Sequence, residues 1–497
     1  MKRISKILIA NRGEIACRII QTCKEQNIKC VAIYSKADEN ALHRILADEA
    51  IFIGESLAKE SYLNVTKIIQ IAKDNNCDAI HPGYGFLSEN WEFNKRVTEE
   101  GIIFIGPNFE AMRLLGSKTE SRETMISNNI PVVPGWKSKT ANWEEYLEEA
   151  KKIGFPILIK SSGGGGGKGM RDVWNSEDFQ TSFEAAQRES LSSFGNSEVF
   201  IEKLIENPRH IEFQVVADHF GNYIHLNERE CSIQRRHQKI IEETPSLALN
   251  TKLREEMGQI AIKACKVAKY DNIGTVEFLL DASGKYYFLE VNARIQVEHP
   301  ITEETTGYDL VKIQIDISSG LELQIRQEEV YQQGHSIECR IYAEDGNNNF
   351  MPAAGKILLL KEPKGKGIRY DTGIYEGFEV PIYYDPIMAK LIVKGADREE
   401  ARLRIIKALK DNVILGITTS IEYLINILES DKFIAGDIFT DTISKDYAQF
   451  ITGTRKYNNI AIASCEVNNS KRQYDFKEQN DTILNVSSII GDWEIAR

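Results

Sequence analysis

A run of five glycines, Gly163 to Gly167, stands between the stretches "FPILIK" and "MRDVWN". Glycine loses more backbone freedom on ordering than any other residue, so such a run belongs inside neither a helix nor a strand. "FPILIK" reads as an apolar strand bounded by Pro156, and the chain resumes as a strand at Met170, so the glycines close a hairpin. A P-loop needs Gly-Lys-Ser/Thr opening a helix, whereas Gly167-Lys168-Gly169 lacks the hydroxyl. What remains is backbone without side chains, able to close over phosphates and offer them N–H groups. Lys160, at the end of the strand, would place a point charge beside the same phosphates. A flexible linker is the bland alternative, but linkers are rarely set between strands without a serine-rich extension.

Around this loop the chain is long enough for several cores. At roughly 150 residues per domain, 497 residues imply about three. The net charge of −12 makes a nucleic acid or an anionic membrane a poor partner. The only early apolar run, Ile7 to Ala10, is too short for a signal peptide, and no stretch approaches a membrane span. The eight cysteines show no CxxC or His pairing and are expected to be reduced thiols in a cytoplasm. Residues 1–115 alternate strands ("KILIA", "KCVAIYS", "DAIHPGYG", "IIFIGP") with helices, the first helix running from Gly13 to about Gln26; this predicts a parallel α/β sheet. Residues 116–330 read as mixed α and β. Residues 331–447 are strand-rich and end on the helix "DREEARLRIIKALKD". A tail, 448–497, carries two possible strands, "NNIAIA" and "TILNVSSII".

The most informative segment is "IGTVEFLLDASGKYYFLEVNARIQVE", Ile273 to Glu298. "DASG" is a turn, and centring it between Ser283 and Gly284 sets Glu277 directly opposite Glu290. Opposed like charges destabilise a sheet, so the pair calls for a cation between them; hard oxygen ligands suit Mg²⁺ or Mn²⁺. The period-two pattern extends the second strand through Glu290, Asn292, Arg294, Gln296 and Glu298 on one face. Asn292 is a further oxygen donor, while Arg294 with Glu298 could bind a small anion and remove its proton. Arg235, Arg236, His237 and Lys239 form a second anion-seeking cluster. His81, His210 and His237 are equally readable as core histidines. "HPGYGFLSEN" presents Tyr84 at the carboxyl edge of the first sheet, where α/β proteins bind ligands.

Together with "IANRGEIACRI", "FIGP", "ENPRHIEFQV", "ERECSIQRRHQK", "EVNARIQVEHPITE", "GHSIECRIYAED" and "YYDPIMAKL", these stretches resemble the biotin carboxylases of the ATP-grasp fold, from residue 3 to about 445. The resemblance implies an N-terminal domain at 1–115, an ATP-grasp domain at 116–330 with its lid at about 132–204, and a C-terminal domain at 331–447. It implies that Lys118, Lys160 and Gly164, Gly165, Gly166 and Gly167 of the lid contact ATP phosphates. Glu202, Lys203, Leu204 and Ile205 would form the adenine hinge, with His210, Gln234 and His237 nearby. By the same likeness Glu277, Glu290 and Asn292 bind Mg²⁺ or Mn²⁺, with two ions expected. Lys239, Arg294, Gln296 and Val297 hold bicarbonate, Glu298 is the base, and Arg340 stabilises the biotin enolate. Tyr84 and Asp385 lie near biotin. The implied reaction is ATP-dependent carboxylation of biotin through carboxyphosphate.

Biotin attachment in this family uses a Met-Lys pair, and the only one here is Met1-Lys2. The expected partners are therefore a separate biotin carboxyl carrier protein, carboxyltransferase subunits and a second copy of the chain. Lys168 and "TTGYDLV" look more like the acyl-CoA carboxylase α-subunits; a two-subunit pyruvate carboxylase is the other form considered. The final acceptor stays open among acetyl-CoA, propionyl-CoA, another acyl-CoA and pyruvate. Another ATP-grasp ligase, such as a carbamoyl-phosphate enzyme, shares the lid and paired carboxylates, but "RRHQK" and "RIQVEHP" argue against it. A catalytically silent nucleotide-binding subunit would lack residues that are present here.

Overall fold

The computed structural model describes residues 4–138, 142–161, 170–194, 197–236 and 238–447. The glycine loop, His237 and the tail with its two candidate strands lie outside the described residues.

The first domain begins with the expected alternation. Strands β1 (Lys6–Ile9), β2 (Lys29–Ser35), β3 (Glu49–Gly54), β4 (Ala79–His81) and β5 (Ile103–Phe104) form a five-stranded sheet in the order β3-β2-β1-β4-β5. Every pairing is parallel. Ile7, Leu8 and Ile9 are all buried, as a strand covered on both faces requires. The order reverses between β1 and β4, and the carboxyl ends of these two strands diverge there. Asn11 ties them together, donating from its amide to the carbonyls of Pro82 at 2.6 Å and Tyr84 at 2.8 Å. Gly83 has φ +62° with Asn11 against it; a Cβ there would lie 2.9 Å from Asn11 Nδ2. That close approach explains the glycine and sets the path that presents Tyr84.

The segment expected to be the lid holds a four-stranded antiparallel sheet, β6 (Gly135–Trp136), β9 (Val199–Lys203), β7 (Ile157–Ser161) and β8 (Met170–Val173) in that order. It has its own core, in which Ile157, Ile159, Val199 and Ile201 pack on Tyr146, Phe179 and Phe183 of two helices. The β7–β8 pairing confirms that the glycines join two antiparallel strands.

Eight of the remaining strands build one antiparallel sheet, and the others form three two-stranded pairs. β10 (Arg209–Ala217), β11 (Tyr223–Arg235), β12 (Gln238–Thr244), β13 (Asn272–Leu280), β14 (Tyr286–Asn292) and β15 (His335–Tyr342) join strands Ile387–Gly395 and Ile368–Thr372. Its order is β14-β13-β10-β11-β12-β15 followed by Ile387–Gly395 and Ile368–Thr372. The sheet thus runs through the boundary expected near residue 331, because β15 pairs with β12. The C-terminal part does not end on the helix Arg398–Asp411: helices Ile421–Glu429, Asp431–Ala435 and Thr442–Asp446 follow and cover one side of its core.

Phe213, Phe278 and Phe288 are buried under the β14-β13-β10 end of this sheet, with edge-to-face ring contacts at 6.1 Å and 6.4 Å. Phe278 follows Glu277 on β13 and faces the other way, so it anchors the strand that carries the carboxylate. Phe278→Ala is expected to destabilise the chain by ~3–5 kcal/mol in denaturant unfolding. A loss below about 1 kcal/mol would show that this aromatic core does not hold the strand.

Candidate functional site

The site is a row of charges written across neighbouring strands. Glu290 on β14 pairs with Glu277 on β13, Glu277 pairs with Glu212 on β10, and Glu212 pairs with Arg229 on β11. The Glu277–Glu290 register is the expected one, but it arises differently. Near the turn the strands are offset, with Phe278 opposite Phe288, and a bulge between Glu277 and Phe278 restores the opposition of the carboxylates.

Buried cations compensate this row. Lys239, on β12, donates to Glu277 Oε1 at 2.8 Å, to Glu298 Oε1 at 2.7 Å and also to Glu212. Arg229 is wholly buried and donates from Nε to Glu212 at 2.5 Å and from Nη2 to Gln296 Oε1 at 2.8 Å. Arg340, on β15, holds Glu242 through Nε at 2.6 Å and Glu298 Oε2 through Nη2 at 3.0 Å.

Burial raises carboxylic acids, and the site separates its members against that trend. Burial pushes Glu277 up, but Lys239 and His210 overcome it and hold the carboxyl well below its usual range. His210 Nε2 lies 3.0 Å from Glu277 Oε2. Glu298 is likewise raised by burial and, against it, held far down by Lys239, Arg340 and Arg229. Glu242 rises to about 7, chiefly from burial and despite Arg340. Glu290 is also raised by burial and by Glu277, with Lys118 opposing. Among the described residues Glu290 has no hydrogen-bond or ion-pair partner. An acid left raised and unpaired beside a second carboxylate is a fit for a hard divalent ion. His210, Glu212 and Glu277 also bring ligand atoms within 4.8 Å of one another.

Two expectations need correction. The second strand stops at Asn292; residues 293–298 form a loop, and Glu298 caps the helix His299–Thr306. Glu298 therefore reaches the site from a helix start, not along a strand face, and Arg294 is placed by Glu89 and Asn292 instead. Arg294 donates to Glu89 at 2.9 Å and to Asn292 Oδ1 at 3.0 Å. The Asn292 amide in turn donates to Glu277 at 2.8 Å, so its oxygen is engaged by Arg294 rather than open toward Glu290.

The other expected residues divide. Gln296 donates to Glu277 at 2.9 Å, within the cluster. The Val297 carbonyl accepts from Lys390 at 2.8 Å. Gln234 meets His210 Nδ1 at 2.8 Å. Lys118 begins a helix close enough to Glu290 to act on it. Lys160 donates to Glu202 at 2.5 Å, leaving the lid core to the alternate residues of β7. Lys203 points away, onto the carbonyls of Gly154 at 3.0 Å and Phe155 at 2.8 Å, so only its backbone can serve a hinge with Leu204 and Ile205. The Tyr84 hydroxyl donates to Glu14. Asp385 accepts from the backbone of Ile387 at 2.9 Å, at the start of strand Ile387–Gly395, and bears on Tyr342. Gly164, Gly165, Gly166, Gly167 and His237 lie outside the described residues. Sequence reasoning missed Glu212, Glu242, Arg229 and Lys390. Only Glu212 left a trace, as the one carboxylate of "RHIEFQVVA", an almost fully buried strand.

The family models agree with this arrangement. The biotin carboxylase N-terminal domain matches residues 3–112, the ATP-binding domain of the carbamoyl-phosphate synthase large chain matches 117–326, and the biotin carboxylase C-terminal domain matches 338–445. The chain is 50% identical over 443 residues to the biotin carboxylase of Nostoc sp. (strain PCC 7120), which spans 89% of this chain and 99% of that protein. It is 42% identical over 502 residues to the human mitochondrial propionyl-CoA carboxylase alpha chain, covering all of this chain and 69% of that one. Among solved structures, the biotin carboxylase domain dimer of Hydrogenobacter thermophilus 2-oxoglutarate carboxylase, in complex with MgADP, ADP and bicarbonate, superposes with a TM-score of 0.85 at 44% identity. It covers 91% of this chain and the whole of that one. Fold and site together define an ATP-grasp ligase. The chain belongs to the biotin carboxylase family.

If Glu277 and Glu290 hold a divalent ion, Glu290→Gln should lower MgATP turnover more than tenfold, since a neutral amide is the poorer ligand. Turnover unchanged at ordinary Mg²⁺ would remove Glu290 from the metal site.

Proposed function

We propose that the chain catalyses bicarbonate- and ATP-dependent carboxylation of biotin borne by a separate carrier protein, working as a homodimer with carboxyltransferase partners. The observation that carries the reading is the Glu298 carboxylate, bonded at once to Lys239 and Arg340 beside the Glu277–Glu290 pair. The dimer is supported by the bacterial 2-oxoglutarate carboxylase domain, solved as a dimer. An acyl-CoA carboxylase setting is supported by the propionyl-CoA carboxylase alpha chain, whose match extends over this whole chain, tail included.

In this reading Lys118, Lys160 and the glycine loop receive the ATP phosphates, with Glu202 to Ile205 and His210, Gln234 and His237 around the base. Glu277 and Glu290 would hold Mg²⁺, or Mn²⁺ in its place, with Asn292 engaging once Arg294 turns to substrate. A bound ion would neutralise charge on the phosphates during transfer. Lys239, Arg294, Gln296 and Val297 receive bicarbonate. Bicarbonate oxygen attacks the γ-phosphorus, ADP departs, and carboxyphosphate then separates into CO₂ and phosphate. N1 of biotin gives its proton to the released phosphate and takes up the CO₂, with Arg340 stabilising the enolate form and Tyr84 and Asp385 beside it. Phosphoryl transfer is mainly positioning and charge neutralisation, and lid closure keeps water from the intermediate.

Glu298 raises a physical difficulty that the geometry also resolves. A carboxylate held far below its usual range is a weak base. Its depression comes from Lys239, which bicarbonate would engage, and from Arg340. Bicarbonate binding would therefore draw Lys239 off Glu298 and strengthen the base when there is a proton to take.

Glu298→Gln keeps shape and hydrogen bonding but accepts no proton. Bicarbonate-dependent ADP release should fall by at least about a hundredfold, within the range of general-base assistance, while ATP affinity stays near wild type. Near-normal rates would place the base elsewhere. The wild-type profile should show no acid limb from Glu298 at neutral pH, because its depressed pKa keeps it ionised there. An acid limb near pH 6–7 that vanishes in Glu298→Gln would contradict that assignment.

A further inference from the structure

Lys390 is wholly buried, although a lysine loses much hydration on burial and an apolar side chain would fill the same core. It lies directly opposite Arg340 in the pairing of strand Ile387–Gly395 with β15. Its ammonium donates to the Val297 carbonyl at 2.8 Å, lies 3.3 Å from Glu14 Oε2 and 3.9 Å from Asp371 Oδ2. The other Glu14 oxygen accepts the Tyr84 hydroxyl. Four distant parts of the chain thus meet in one line: Tyr84 hydroxyl, Glu14 carboxylate, Lys390 ammonium and Val297 carbonyl. Val297 sits in the loop 293–298, outside the sheet, so no ladder holds its carbonyl. The Glu14 end is fixed as firmly. A Cβ on Gly373 would lie 2.6 Å from the Glu14 backbone nitrogen, so the C-terminal chain is seated directly on the start of helix Gly13–Glu25.

We propose that Lys390 and Glu14 are positioning residues that join the biotin side of the site to its bicarbonate side. Glu14 orients the Tyr84 hydroxyl, and Lys390 fixes the Val297 carbonyl and with it the peptide that carries Glu298. The inference rests on the biotin carboxylase reading above. Burial raises the Glu14 carboxyl to about 7 against the pull of Lys390, so its charge depends on the lysine beside it. A line of this kind transmits a shift at either end, because the Lys390–Glu14 ion pair joins the hydrogen bond from Tyr84 to the hydrogen bond at Val297.

The test uses the full-length chain with free biotin and measures bicarbonate-dependent ATP cleavage for wild type, K390M, Y84F and K390M/Y84F. K390M should raise KM for bicarbonate at least tenfold, with kcat changed less than threefold and ATP affinity within twofold. A merely structural lysine would lower all three together or only the melting temperature. The double-mutant cycle reads the connection. The loss in kcat/KM for biotin caused by K390M should be at least fivefold smaller in the Y84F background. Should K390M fail to fold, the charge-balanced pair E14Q/K390M, with and without Y84F, carries the same comparison. Independent, multiplying effects, or a wild-type KM for bicarbonate in K390M, would overturn the inference while leaving the functional reading intact. A wild type without bicarbonate-dependent ATP cleavage would overturn both.

Discussion

Everything at the centre of this molecule turns on one ammonium group. Lys239 touches Glu212, Glu277 and Glu298, three carboxylates from separate segments, and each would repel the others without it. Buried ion pairs of this kind add little net stability, because the desolvation of each charge offsets most of the attraction. Removing one member is far costlier than the whole, since it leaves the rest unpaired. The cluster therefore enforces completeness. The strands must reach their observed registers together, or the charges are stranded in the core.

The eight-stranded sheet makes that demand geometrically simple. Adjacent strands place Glu290, Glu277, Glu212 and Arg229 in one row at the spacing of a ladder, so strand pairing alone brings three carboxylates together with one cation at the end of the row. Because β15 joins β12, the same sheet carries Arg340 to the far side of Glu298. Glu290, Glu277, Glu212, Arg229, Lys239 and Arg340 are thus mounted on one sheet, which suits chemistry that depends on position more than on covalent help. Glu298 stands between two of them, bonded to Lys239 on one side and Arg340 on the other.

Local pattern was a good guide wherever neighbours in sequence decide the outcome. "KCVAIYS" is a strand from Lys29 to Ser35, and the first helix covers Gly13–Glu25, as its spacing suggests. The opposition of Glu277 and Glu290 is as the short turn suggests, although a bulge beside Phe278 is what sets it. Local pattern failed where alternation continued past the end of the ladder. Residues 293–298 keep a polar–apolar rhythm yet leave the sheet, because no partner strand extends beside them and the helix at His299 begins.

The sequence by itself determined the family, the α/β beginning, the glycine hairpin and the paired carboxylates, since each is written in contiguous residues whose local geometry is narrow. It also named Lys239, Arg294, Glu298 and Arg340. Only the tertiary structure decided what compensates them. Glu242, Arg229, Lys390 and Glu14 carry no local pattern that separates them from solvated side chains, and Glu212 has only its apolar neighbours to mark it. Lys390 and Glu14 lie far apart along the chain yet 3.3 Å apart in space. A charge acquires a role only when folding removes water and leaves another charge as its nearest neighbour, and that neighbour is chosen by the packing of strands no local pattern can pair.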